Sequence, residues 1–308
     1  MTRSTDDIAE QVIFAGSYED TAENAHIEIA EGIVEIAENA FRDFENLVSV
    51  KLPKSLRRIS ACAFAGCKSL TRVELQYGIE EILDEAFSSC SALCEIIIPD
   101  SCKRIGEGAF EACASLSRLK LSESVTMIGS CAFAYCFNLT DVTIPDSCIL
   151  VEFNAFAGCF SLEAVKLSDN MGLIDESTFE GCRSLHTVDM PTKLVKIGRR
   201  AFKGCGALAS VILPFGVRTI GFDAFADCRS LTRIAIPKDL AELEDEEVFG
   251  GCDRLAEISF GGSRERWESI CRGGALTVQR SDLTVWTPVV SFLNLEYKTR
   301  HGSGFGQK

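Results

Sequence analysis

A phenylalanine returns at a fixed interval through most of this chain, and that interval constrains the fold more than any other feature. Phe41, Phe64, Phe87, Phe110, Phe133, Phe156, Phe179, Phe202 and Phe225 are each 23 residues apart, and Phe249 follows after 24, one residue being inserted there. Three positions past each Phe stands Phe44 in the first copy, then Cys67, Cys90, Cys113, Cys136, Cys159, Cys182, Cys205, Cys228 and Cys252. Three further on is always leucine, from Leu47 and Leu70 to Leu255. Self-similarity at a period of this size is the mark of a solenoid, in which each repeat buries its apolar face only against its neighbours.

Each copy divides into two parts. The first is a short alternating run such as Leu70-Thr-Arg-Val73-Glu-Leu75 or Leu231-Thr-Arg-Ile234-Ala-Ile236. Period-two alternation with β-branched residues predicts a strand with one face on the core. Proline follows at Pro53, Pro99, Pro145, Pro191, Pro214 and Pro237, where it ends the strand by removing a ladder donor. The second part carries an apolar column nearly all isoleucine (Ile36, Ile59, Ile82, Ile105, Ile128, Val151, Ile174, Ile197, Ile220, Leu243) and then Ala-Phe-x-x-Cys. The Ala-Phe segment is too short for an α-helix and is expected to form a 3₁₀ turn. Strands about 4.8 Å apart make a parallel sheet on the order of 48 Å long.

The pattern Leu-x-x-Val/Ile-x-Leu/Ile-Pro followed by Ile-Gly-x-x-Ala-Phe-x-Gly-Cys-x-x-Leu resembles the BspA-like class of leucine-rich repeats over residues 27–260. Gly-Gly-Ser-x-x-x-Trp-x-x-Ile at 261–270 resembles the ending of many bacterial members. The resemblance implies a right-handed leucine-rich-repeat solenoid, β-rich, with one parallel sheet on the concave face and short turns on the convex face. It also implies protein recognition or adhesion, with no catalytic role and no cofactor. Members of the family are often cell-surface proteins.

The expected organisation is an N-terminal cap at residues 1–26, ten coils at 27–260, a C-terminal cap at 261–296 and a disordered tail at 297–308. Caps are needed because a terminal coil would otherwise expose its apolar face. In the first cap the apolar segment from Ile8 to Phe14 is placed over the first coil. In the second, Ser263 reads as the N-cap of a short helix with Trp267 and Ile270 facing inward.

Net charge of −14 and a pI near 4.8 point away from nucleic acid and anionic membrane as partners, and no apolar run is long enough to span a bilayer. Without a basic segment leading into an apolar one, the N-terminus reads as cytoplasmic, with an extracellular or cell-surface setting as the alternative. A monomer is expected.

Fifteen cysteines invite a disulfide or redox reading. The repeat sets their spacing, however, and free cysteine is among the most buried residue types, so the ladder reads as core thiols. Cys62, Cys94, Cys131 and Cys271 fall outside it, with Cys62 and Cys131 expected to be exposed. The three histidines (His26, His186, His301) are scattered, and no Gly-x-Ser-x-Gly, His-Glu-x-x-His or phosphate loop occurs. The acidic run at 242–247 lacks the alternating spacing of a calcium loop and reads as a solvated bulge.

The outward strand positions remain. In coils two to five they run Arg72, Glu95, Arg118, Asp141, alternating in sign, so each charge is expected to face its opposite. Further along they read Ala164, Lys166, Thr187, Asp189, Ser210, Ile212, Arg233 and Ala235, with His186 at the edge, and charge thins out. A protein partner can dock there without stripping water from fixed charges. Tyr135, Phe137 and Phe160 form a second candidate, because Phe137 and Phe160 hold a position filled by Lys68, Arg183, Arg229 and Asp253 in other coils. The expectation is a non-enzymatic protein-binding scaffold, with a surface adhesin or a thiol-redox protein as alternatives.

Overall fold

The computed structural model describes residues 12–245, 247–271, 278–279, 285–286 and 288–292. The chain winds into a parallel β-solenoid. Eleven short strands, from His26–Glu28 through Glu257–Phe260, lie side by side on one face, and a twelfth, Val289–Phe292, pairs in parallel with the last of them. In each three-residue strand the middle side chain points inward and its two neighbours point out, as in Arg72–Glu74, where Val73 alone is buried.

The return side carries a second ladder of two-residue strands. Glu35–Ile36, Arg58–Ile59 and Glu81–Ile82 are successive rungs, each with its isoleucine buried. One sheet was expected from the alternating runs; the isoleucine column builds a second, because its backbone is extended for two residues in every coil.

Between the two ladders the core is columnar. All ten repeat phenylalanines have no exposed surface. Their rings stack nearly coplanar, at 5.0 Å and 4° for Phe41–Phe64 and 5.3 Å and 3° for Phe110–Phe133. The N-terminal segment extends both columns by one step. Val12–Ile13 pairs with Glu35–Ile36, and the Tyr18 ring lies 5.5 Å from Phe41. Ile13 and Tyr18 each stand 23 residues before Ile36 and Phe41, so the leading cover is a worn copy of the coil.

The Ala-Phe segment is no 3₁₀ helix. In one coil the N–H groups of Ala63, Ala65 and Cys67 bond to the carbonyls of Ser60, Cys62 and Phe64, closing turns. The alternate groups of Cys62, Phe64 and Gly66 bond to Asp84, Ala86 and Ser88 of the next coil. A 3₁₀ helix spends every donor internally. Here left-handed residues such as Cys62 (φ 54°) and Gly66 (φ 75°) turn every second donor toward the neighbouring coil. The turn edge thereby becomes a third line of bonds between coils.

The far end is covered by helix α1, Arg264–Ile270, on which Trp267 and Ile270 are buried. Ser263 accepts a bond from the Arg266 N–H at 3.3 Å, and the Trp267 ring lies 5.1 Å from Phe260. The expected disordered tail at 297–308 lies outside the described residues.

Candidate functional site

The sheet face presents two outward columns to solvent. Register sets Ala164 beside Thr187 and Lys166 beside Asp189. It likewise sets Ser210 beside Arg233 and Ile212 beside Ala235. These eight residues do not form one unbroken surface. The first four belong to a three-stranded sheet (Asp141–Thr143, Ala164–Lys166, Thr187–Asp189), the second four to the next sheet, which starts at Ser210–Ile212. His186, at the rim of the first group, has Nδ1 2.9 Å from Thr187 Oγ1 and Nε2 3.9 Å from the Glu163 carboxylate.

A similar gap corrects the expected charge pairing. Arg118 forms an ion pair with Glu95 at 3.7 Å, and Lys51 with Glu28. Arg118 and Asp141, expected to face each other, stand on adjacent strands that no ladder bonds join, and the five-stranded sheet ends there. Beyond it the exposed character changes. Ile212 is 62% exposed and Phe215 43%, and a shallow recess beside them is lined by Phe215, Ala235, Pro237 and Lys238.

The aromatic cluster comes together on the turn edge of the same coils. Phe137 and Phe160 stack at 4.9 Å, and the Tyr135 ring meets Phe137 edge-on at 6.3 Å. The Arg183 guanidinium caps the far face of the stack, 4.4 Å from the Phe160 centroid. Phe160, expected to be exposed, is therefore half-buried between Phe137 and Arg183, while Tyr135 and Phe137 are exposed. The Tyr135 ring lies across Gly158, where a Cβ would come within 2.6 Å of it. From Phe160 the chain runs through Glu163 to Ala164 on the sheet face, so the two candidate patches adjoin.

Sequence reasoning missed a third patch on the return face. Met127, Leu150 and Leu173 occupy a column held elsewhere by Glu35, Arg58, Glu81, Arg104, Lys196, Thr219 and Glu242. Ile149 is 65% exposed beside them, with Phe153 and Val195 each 46%. The break in that charged column was the signal available to find it.

The thiols separate by depth. The ladder cysteines, with Cys102 and Cys148, are buried; Cys62, Cys131 and Cys271 are half-buried, and Cys94 is exposed. Cys62 and Cys131 were expected to be exposed, but the Glu85 and Asn154 side chains of the following coil lie against them. Burial, aided by the Glu85 charge, raises the Cys62 thiol above its ordinary value. Burial pushes Cys113 and Cys159 up to about 12, and Cys102 (with a smaller push from the Glu81 charge) and Cys148 to about 11. Such thiols stay protonated and unreactive near neutrality. Among the described residues no three metal-ligating side chains converge.

Stacked coils, columnar core and parallel ladders define a solenoid of the leucine-rich-repeat class. Residues 11–140 and 126–256 match the BspA type leucine rich repeat region (6 copies), and the chain belongs to that family. Among solved structures it is similar to a leucine-rich repeat protein from Bacteroides ovatus, 22% identical over 92% of this chain and 87% of that one, with TM-score 0.47. It is also similar to a leucine rich cell surface protein from Faecalibacterium prausnitzii, 24% identical over 80% of this chain and 90% of that one, with TM-score 0.38. The T. pallidum leucine rich repeat protein is 30% identical over 60% of this chain and 78% of that one, with TM-score 0.45. No curated protein matches the chain.

Proposed function

We propose that this solenoid is a non-enzymatic scaffold that binds a protein partner through the second half of its sheet face and the adjoining aromatic edge. The observation that carries this reading is the change in surface chemistry from the first sheet of the face to the last. Ion-paired positions such as Glu95 and Arg118 give way to Ser210, Ile212 and Ala235. Docking on the uncharged part costs little desolvation, and an exposed isoleucine supplies apolar area. Extended solenoid faces are suited to such contacts. In this reading Tyr135 and Phe137 supply the anchor at the edge, held by the stack that Arg183 closes.

The same reading places the protein in a reducing compartment as a monomer. Nine cysteines stacked in one buried column, Cys67 to Cys252, favour a setting in which thiols stay reduced. The test is affinity capture from the source lysate with the wild type and with S210K and I212K. A partner held by the wild type and lost from both variants, with unchanged circular dichroism, is the expected result. Equal capture by all three removes the sheet face from the interface.

A further inference from the structure

One step of the stack differs from the others on the return face. At the other steps the residue after the isoleucine column donates its N–H to the column residue one coil earlier: Ser60 to Ile36, Gly129 to Ile105, Glu152 to Ile128, Gly198 to Ile174. The residue two before that column does the same: Thr126 to Lys103, Ile149 to Thr126, Val195 to Gly172. Among the described residues, the step from Leu150–Val151 to Leu173–Ile174 is the one that lacks both bonds. There the seven-stranded return sheet ends and a four-stranded one begins. The other two lines hold across that step. Ala164 stays paired with Asp141, and the Asn154, Phe156 and Gly158 N–H groups still reach Glu176, Thr178 and Glu180.

The residue before the phenylalanine also differs in that coil. It is alanine in eight coils, Thr178 in the coil of Phe179 and Val248 in the coil of Phe249. These are the two coils set furthest from the one before. Ring centroids are 5.8 Å apart for Phe156–Phe179 and 5.9 Å for Phe225–Phe249, against 5.0 to 5.5 Å at the remaining steps. The bonds from Phe156 to Thr178 and from Phe225 to Val248 are 3.0 Å, where those to the alanines are 2.8 to 2.9 Å. Thr178 has no exposed surface: its Oγ1 donates to the Asp175 carbonyl of its own coil at 2.9 Å, and its extra methyl must be accommodated by the neighbouring coil. The coil of Val248 has the inserted residue to take up the spread, and there Glu242–Leu243 remains paired with Thr219–Ile220. The coil of Thr178 has none.

We propose that Thr178 is a wedge that holds the return ladder open between Leu150–Val151 and Leu173–Ile174, making a one-sided joint in the middle of the stack. The joint opens on the return face and is hinged on the sheet face, where the ladder is continuous. It lies within the apolar patch of Ile149, Leu150 and Leu173, so flexing there changes how those side chains are presented.

Amide hydrogen exchange on the full chain tests this directly. The Gly172 and Asp175 amides exchange at least tenfold faster than Thr126 and Gly129, their counterparts in an intact step. T178A, which restores the residue used by eight coils, slows Gly172 and Asp175 to the rate of those counterparts. A201T places the same wedge one coil further on and speeds exchange at Val195 and Gly198. Wild-type protection at Gly172 and Asp175 equal to that at Thr126 and Gly129 overturns the proposal. So does an unchanged rate in T178A, or an A201T protein whose Val195 and Gly198 amides stay as protected as before.

Discussion

The Cys113 thiol points back along the stack and donates to the backbone carbonyl of Phe87, 3.2 Å away in the preceding coil. The same bond recurs from Cys67 to Phe41, Cys136 to Phe110, Cys205 to Phe179 and Cys252 to Phe225, at 3.0 to 3.3 Å. Cysteine suits this column because it is a small apolar side chain that still carries a weak donor. The first coil has Phe44 at that position, packed edge-on against Phe41 at 5.4 Å. The residues before it form only a worn copy of the coil, with Tyr18 in the aromatic column, and the larger ring fills the end of the stack.

Phe133 sits between two stacked neighbours, 5.3 and 5.4 Å away, with no exposed surface. F133A leaves a cavity that the rigid coils on either side cannot close, and it is expected to cost about 3–5 kcal/mol. C136A removes one weak bond and little volume, with an expected cost of about 1 kcal/mol. Urea denaturation followed by circular dichroism measures both. Equal losses would mean that the aromatic column does not hold the coils together.

Thiol labelling of the native protein at pH 8 should modify Cys94 first, then Cys62, Cys131 and Cys271 more slowly. The eleven buried thiols should react only after addition of denaturant. Mass spectrometry after brief alkylation distinguishes the sites. Rapid modification of any ladder cysteine in the folded chain contradicts the packing described above and revives the redox alternative.

Stability should fall steeply in alkali. The fold holds the Cys113 and Cys159 protons up to about 12, above the ordinary thiol value of 9.0. The stabilisation is therefore complete below pH 9 and is lost as pH rises toward 12, because the unfolded chain ionises first. Above pH 9 each such thiol contributes a slope of about 1.4 kcal/mol per pH unit. Denaturation midpoints measured from pH 7 to 11 should stay level up to pH 9 and then drop, and C113A/C159A should soften the drop. A level profile through pH 11 would show that these thiols are open to water.

Much of the candidate surface was legible before any coordinates. Phe137 and Phe160 stand out because other coils place Lys68, Arg183, Arg229 and Asp253 there, and with Tyr135 they do meet in space. The half-burial of Phe160 was not legible, since it depends on Arg183 reaching over the ring from the next coil. The left-handed turn residues left a trace in one column, where Asp43, Gly66, Gly158, Gly181, Gly204, Asp227 and Gly251 suit positive φ and Ser89, Ala112 and Tyr135 share it. Cys62 and Arg200 adopt the same region without that preference, held there by bonds to the next coil.

The 23-residue period by itself determined that the chain stacks, which columns form the core and where the strands of the sheet face fall. A translational repeat places equivalent side chains above one another whatever their detailed packing. Only the tertiary structure decided where the ladders part, why Thr178 matters more than its size suggests, and how each thiol finds a carbonyl. Those features belong to pairs of coils: the gap between two backbones follows from the volumes pressed together across it, and a hydrogen bond forms or fails with that gap.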